Sequence, residues 1–111
     1  MAVPDDVLTK TAIDTELSTL PQWRFTGELC TVLKCPTSAI ALDLFAAIGE
    51  AAQKANHHPD VDWRYDTLYI STYSHDAGGQ VTARDVALAR AISVAATAAG
   101  AVAKPELIRG A

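Results

Sequence analysis

Residues 56–85 decide the fold, and they read NHHPDVDWRYDTLYISTYSHDAGGQVTARD. The stretch opens where a helix must stop, because Asn56 suits a helix C-terminus and Pro59 prevents continuation. The preceding residues carry a helical signal that starts at Thr37, a good N-cap. Their apolar positions recur at helical spacing: Ala41, Leu44, Phe45, Ile48, Ala52 and Ala55. A helix is therefore predicted from Thr37 to Asn56.

The middle of the stretch, Thr67 to His75, predicts a β-strand because it is rich in β-branched and aromatic residues. Alternation places Leu68 and Ile70 on one face. The opposite face receives Tyr69, Ser71, Tyr73 and His75. The aliphatic face should pack on helices, which leaves His75 on the opposite or rim side.

The end of the stretch predicts a turn followed by a helix. Gly78 and Gly79 mark the turn. Residues 82–85 then resemble a capping box with Asp in place of Glu. The last helix is predicted from Thr82 to Ala103, with Gly100 interrupting it.

Upstream, residues from about Asp5 to Leu20 predict a short helix. Gln22 to Thr26 and Glu28 to Cys35 predict a hairpin around Gly27. Together these elements predict one α+β domain over residues 1–111. Its two layers would be a four-stranded, mainly antiparallel sheet and helices packed on one face.

The composition fits a globular domain: half of the 111 residues are hydrophobic and a fifth are charged. A net charge of −4 supplies no basic patch for nucleic acid. The longest uncharged run, 91–103, is too short to span a membrane. The acidic N-terminus does not resemble an export signal, and Cys30 and Cys35 should point to opposite strand faces. A reduced, cytoplasmic protein is the simplest inference.

The last predicted helix is apolar nearly all round, with Val86, Leu88, Ile92 and Val94 among many alanines. Such a helix is normally buried on every side, and a chain this small has little material to cover it. We therefore expect a homodimer or homotetramer that covers this helix. The alternative is a helix laid across the sheet with its outer alanines in water.

All three histidines, His57, His58 and His75, lie in one nineteen-residue window. Histidine has an unperturbed pKa between pH 5 and 8, so the cluster favours acid–base chemistry. Zinc is a weaker interpretation, because adjacent residues in an extended segment point apart. A thiol mechanism is also disfavoured, since Cys30 and Cys35 show no sign of activation.

The order His57-His58-Pro59, Tyr65, His75 and Asp85 resembles the signature of the pterin-4a-carbinolamine dehydratases. The resemblance covers most of the chain. Its hallmark stretches are residues 57–60 and 74–79, and residues 82–89 are similar to the start of the family's last helix.

The resemblance implies a hydro-lyase that removes water from a 4a-hydroxytetrahydropterin and needs no metal or redox cofactor. By that resemblance, His57 and His75 are the main acid–base candidates. His58 is expected to hold and orient the small-molecule pterin, although the histidine roles could be permuted.

The resemblance also implies a set of residues that contact or shape the pterin pocket: Asp60, Trp63, Ser74 and Asp85. Asp85 could orient a histidine, bond the ligand or simply cap a helix, and one carboxylate could do two of these. Asp60 and Trp63 have a strong alternative as plain surface and packing residues.

Three features depart from the family pattern. Gln53 stands where an acidic residue is usual, one helical turn before the histidine pair, and residues 79–82 form a connection one residue longer. Asp66 replaces a frequent asparagine. The first two departures would suit an alternative function, a non-catalytic scaffold that binds another protein or assists its assembly. The intact histidines and Asp85 favour the enzyme.

Overall fold

The computed structural model of the chain describes residues 6–108. The helices are α1 (Lys10–Leu17), α2 (Ser38–Ala55) and α3 (Ala83–Ala98), and the strands are β1 (Arg24–Phe25), β2 (Leu29–Lys34), β3 (Asp60–Arg64), β4 (Thr67–Thr72) and β5 (Val102–Ala103). Short 3₁₀ turns occupy His75–Ala77 and Pro105–Leu107. The first helix is predicted from about Asp5, which lies outside the described residues, to Leu20. Within the described residues it is shorter, because Thr9 caps its N-terminus by accepting a hydrogen bond from the Ala12 amide, and it ends at Leu17.

The strands form one sheet in the order β1-β2-β4-β3, and all of the pairs are antiparallel. β5 adds to the same edge of β2 as β1, opposite Leu33 and Lys34. The predicted α+β class is therefore confirmed, with five strands rather than four. The extra strand comes from the end of the last predicted helix.

Helix α2 has the predicted boundaries. Thr37 caps its N-terminus by accepting a hydrogen bond from the Ile40 amide, and Asn56 closes it in the left-handed conformation at φ 50°. Four residues of the predicted apolar stripe, Ala41, Leu44, Ile48 and Ala52, lie in the core. Phe45 is half-buried, and Ala55, in the last turn of the helix, is exposed.

Helix α3 is shorter than predicted, because it ends at Ala98 rather than at Ala103. Gly100 has φ 73°, a left-handed conformation that glycine adopts without strain and that turns the chain out of the helix. The turn lets Val102 and Ala103 pair with β2.

The core lies between the sheet and the helices α2 and α3. Leu68 and Ile70 are 0% and 3% exposed, which confirms the predicted inward face of β4. Their partners on β3 are Trp63 and Val61. The predicted strand to His75 stops at Thr72, and His75 itself lies in the 3₁₀ turn that follows.

Cys30 and Cys35 are both buried and unpaired. Within residues 6–108, no helix combines the length and the apolar character that crossing a membrane requires.

Candidate active site

A buried carboxylate, that of Asp85, joins the ends of three elements at one end of the sheet. Its Oδ1 accepts hydrogen bonds from His57 Nε2 and Thr72 Oγ1, both at 2.6 Å. Its Oδ2 accepts from Ser74 Oγ at 2.8 Å and from the Thr82 amide at 2.9 Å. Asp85 is 0% exposed, so these partners replace the water that a carboxylate would otherwise hold.

The network keeps Asp85 ionised. Burial raises the pKa of this carboxyl group, but the hydrogen bonds from His57, Thr72, Thr82 and Ser74 outweigh burial and hold the pKa below its usual value. An ionised Asp85 can only accept hydrogen bonds, so the facing nitrogen of His57 must carry a proton.

Asp85 also completes the predicted capping box of α3. The Thr82 side chain accepts a hydrogen bond from the first turn, and the Asp85 side chain accepts one from the Thr82 amide. Asp85 therefore both caps α3 and binds His57. Its Oδ2 accepts the hydrogen bond of the cap, and its Oδ1 accepts the hydrogen bond from His57.

His57 occupies this position because α2 ends two residues earlier, at Ala55. The left-handed turn at Asn56 is followed by a hydrogen bond from the His57 amide to the Ala52 carbonyl at 3.1 Å. That bond fixes the residue against the helix end, and only 9% of the His57 side chain is exposed. With Nε2 bonded to Asp85, Nδ1 is the ring nitrogen that this hydrogen bond leaves unused.

His75 is exposed and lies against Tyr73, with ring centroids 4.6 Å apart at an angle of 57°. Asp60, at the start of β3, is close enough to raise the pKa of Tyr73 by its negative charge. His75, Tyr73 and Asp60 thus form a second, solvent-exposed cluster. Ser74 connects it to the buried network, because its backbone precedes His75 and its hydroxyl bonds to Asp85.

The other predicted site residues are placed differently. His58 is exposed, and none of the hydrogen bonds among residues 6–108 links it to Asp85. Trp63 packs edge-on against Phe45 of α2, with centroids 6.5 Å apart, and donates a hydrogen bond to the Tyr65 carbonyl. It lies three residues along β3 from Asp60, roughly 10 Å away. Trp63 therefore makes packing contacts with α2.

Ser74 is 0% exposed, and its hydroxyl is already bonded to Asp85 and lies 2.8 Å from Thr82 Oγ1. Thr72, which the sequence analysis did not select, is equally buried and equally part of the network. Its alternation with Leu68 and Ile70 was the available signal, since a hydroxyl on the buried face of a strand needs a partner.

The longer connection at residues 79–82 is closed by local hydrogen bonds. The Ser74 amide donates to the Gln80 carbonyl at 2.9 Å, and the Gln80 side chain donates to the Ala77 carbonyl at 3.0 Å. Val81 is buried in the core at 2% exposure. The connection is therefore held by its own contacts and leads directly into the Thr82–Asp85 capping box. Gln53, another departure, is an exposed residue of α2.

Among the residues that the structure describes, no three histidine, cysteine or acidic side chains come together with the geometry of a metal site.

A family model for pterin 4 alpha carbinolamine dehydratase matches residues 6–95. A relative from Mycobacterium leprae (strain Br4923), named "Putative pterin-4-alpha-carbinolamine dehydratase", is 38% identical over 87 residues, which cover 78% of this chain and 92% of the relative. A relative of the same name from Nocardia farcinica (strain IFM 10152) is 38% identical over 88 residues, with the same two coverages.

A crystal structure from Brucella melitensis, described as transcriptional coactivator/pterin dehydratase, has a similar fold. Its TM-score is 0.76 at 22% sequence identity, over 81% of this chain and 98% of that one.

Proposed function

The chain belongs to the pterin-4-alpha-carbinolamine dehydratase family, and we propose from that premise that it dehydrates a 4a-hydroxytetrahydropterin to the quinonoid dihydropterin. The observation that carries the proposal is the 2.6 Å hydrogen bond between His57 and the buried Asp85 carboxylate. It gives a histidine of the family motif a fixed orientation, a fixed tautomer and a counter-charge.

The proposed reaction breaks the C4a–O bond and the N5–H bond of the substrate. A base takes the N5 proton, an acid protonates the leaving hydroxyl, and the electrons of the N5–H bond form the new C4a=N5 double bond. Water and the quinonoid product result. Both steps are proton transfers, so the reaction requires no metal or redox cofactor.

His57 suits the role of base. Nε2–H donates a hydrogen bond to Asp85, which leaves Nδ1 of the neutral ring as a proton acceptor. When Nδ1 takes the N5 proton, the ring becomes an imidazolium whose charge faces the ionised carboxylate. Asp85 is therefore proposed as the group that orients His57 and stabilises its charged form.

His75 suits the role of acid. It is exposed, so it can regain its proton from water after each turnover. Tyr73 lies against its ring and restricts its orientation. His58, exposed beside His57, is proposed to hold the pterin rather than to move a proton.

Three residues from the predicted pocket receive narrower roles. Asp60 is exposed beside Tyr73 and is proposed as a polar contact for the pterin. The Ser74 hydroxyl supports Asp85 rather than the substrate, because it is buried and already bonded. Trp63 supports the β3–α2 packing.

The decisive assay follows the decay of a freshly generated 4a-hydroxytetrahydropterin, with and without purified protein. We expect acceleration above the buffer rate, loss of most of that acceleration in His57→Ala, and no loss in Asp14→Asn on the exposed face of α1. No acceleration by the parent protein would reject the enzyme. The alternative, a scaffold that binds another protein, would then be the better explanation of the fold.

We also propose that the protein is a homodimer or homotetramer in the cytoplasm. The outer side of α3 carries Val94, which is 72% exposed, beside exposed alanines and Thr97. A second copy of the chain would remove this apolar surface from water.

A further inference from the structure

We infer that Arg84 is a positioning residue, which holds the His75 turn in place through the carboxylate of Asp76. The inference rests on the proposed function for its catalytic consequence, but its geometry stands on the contacts alone. Arg84 follows Thr82 in the first turn of α3 and precedes Asp85, so it belongs to the segment that carries the buried network.

The contact between Arg84 and Asp76 is bidentate. Nη1 donates to Asp76 Oδ2 at 2.9 Å, and Nη2 donates to Asp76 Oδ1 at 3.0 Å. Two parallel hydrogen bonds between a planar guanidinium and a carboxylate fix orientation as well as distance. The hydrogen bonds from Arg84, reinforced by its charge, correspondingly hold the pKa of Asp76 below its usual value.

The guanidinium is itself held from a third direction. Its Nε donates to Asp6 Oδ2 at 2.9 Å. The segment around Asp6 is fixed to the connection before α3, because Leu8 donates its amide hydrogen to the Val81 carbonyl at 3.0 Å and Val7 bridges Thr82. Arg84 therefore connects the His75–Ala77 turn to α3, and its contacts with Asp6 and Asp76 restrict the orientation of its own side chain.

The contact with Arg84 restrains the exposed side of the His75–Ala77 turn. On its inner side, Ser74 is anchored to Asp85 and to Gln80. His75 and Asp76 are both exposed, and among the described residues the bidentate pair with Arg84 is the side-chain contact that holds Asp76. Without it, the His75 ring could swing away from Tyr73 while the inner side of the turn stayed in place.

The test compares Asp76→Asn with Asp76→Glu in the full chain. Asn removes the charge and one acceptor oxygen, whereas Glu keeps a carboxylate for the guanidinium fork. Asp14→Asn is the matched control, because Asp14 also pairs with a cation, Lys10, at 3.1 Å on an exposed surface, but far from the turn in sequence.

The first measurement is the NMR spectrum of His75, whose ring protons lie in the ring-current field of Tyr73. In Asp76→Asn we expect these resonances to move towards the values of an unstructured histidine, and in Asp76→Glu and Asp14→Asn to stay near those of the parent. Unchanged His75 resonances in Asp76→Asn would overturn the inference, whether or not the parent protein proves to be a dehydratase.

The second measurement is dehydration kinetics. Because a displaced acid loses part of its contribution to the transition state, kcat should fall by about ten-fold in Asp76→Asn with little change in KM. Asp76→Glu should recover most of the loss. A rise in KM at constant kcat, or an equal loss in Asp14→Asn, would contradict a positioning role. An inactive parent protein would reject the proposed function and leave the NMR result to decide this inference.

Discussion

Replacing Asp85 with Asn tests the buried network most directly, since the change preserves the shape of the side chain and removes its charge. The carboxylate accepts four hydrogen bonds at 2.6–2.9 Å, two on each oxygen. An amide has one accepting oxygen and one donating nitrogen, so it can satisfy only one side of the network.

The loss in the free energy of unfolding depends on which oxygen of Asp85 the amide nitrogen replaces, and so on which hydrogen bonds are broken. If the amide nitrogen faces Thr82, the Thr82 amide loses its acceptor and remains buried, at a cost of about 1–3 kcal/mol. If the nitrogen faces His57 instead, Nε2 must give up its proton and the ring must change tautomer. Each hydrogen bond to the charged carboxylate in the parent is worth about 1.5–3 kcal/mol, and the variant loses this contribution. Asn does not bury a charge, however, and this relief offsets part of the lost stability. We expect the free energy of unfolding of Asp85→Asn to be about 2–4 kcal/mol lower than that of the parent at pH 7.

The difference between parent and variant should depend on pH with a defined sign. The folded pKa of Asp85 lies below its unfolded value, which is about 3.9 for a free aspartate. The ionised network therefore stabilises the parent fully above that unfolded value, and the stabilisation is lost as the pH falls through the folded pKa. The free-energy gap between the two proteins should therefore narrow as the pH falls below about 4.

Urea unfolding at fixed protein concentration measures this gap, with fluorescence as the probe because Trp23 is 1% exposed and its indole donates to Ser93. Asp14→Asn is again the control, and we expect it to change stability by less than about 0.5 kcal/mol because that pair is exposed. If Asp85→Asn is as stable as the parent, or if the gap does not change with pH, the carboxylate does not have the role assigned to it.

Three further predictions concern the proposed function. His57→Ala and His75→Ala should each lower turnover by about ten-fold or more in the dehydration assay, whereas His58→Ala should act mainly on KM; parental kinetics in all three would contradict acid–base catalysis. Gln53→Glu places a carboxylate one helical turn before the histidine pair and should raise the apparent pKa of the pH–rate profile; an unshifted profile would show that this position does not influence the site. Val94→Glu puts a charge on the exposed apolar side of α3 and should shift sedimentation towards a smaller species, unless the parent protein is already a monomer, which would refute the proposed oligomer.

The parts of the fold that the sequence predicts well are those with local signals. Thr37 and Asn56 bound α2 because a capping hydroxyl and a left-handed C-terminal residue act on their immediate neighbours. The inward face of β4 follows from its strict alternation. The capping box of α3 is likewise predicted correctly, because Thr82 and Asp85 have the spacing that the motif requires.

The parts that the sequence predicts poorly depend on distant contacts. The alanine-rich end of α3 contains no strong stop signal before Gly100, and β5 forms because β2 offers a free edge there. The strand predicted to run to His75 ends at Thr72, where the chain becomes bound to residues of α3 instead of a neighbouring strand. The 2.6 Å contact between His57 and Asp85 joins residues 28 positions apart. The sequence therefore indicates that Asp85 could orient a histidine, but it does not indicate which histidine.

This partnership couples the folding of the chain to the proposed chemistry. His57 lies at the end of α2, Thr72 at the end of β4 and Asp85 at the start of α3, so the network forms only when the three ends meet. Burying a carboxylate is energetically costly unless its oxygens accept hydrogen bonds. The contacts between these three ends therefore both orient His57 and allow Asp85 to remain charged. Loss of activity on changing Thr72, Ser74 or Thr82 would therefore not by itself identify a catalytic group. The exposed residues His75, His58 and Asp60 are better suited to test the proposed substrate contacts, because substitutions there do not remove a partner from a buried charge.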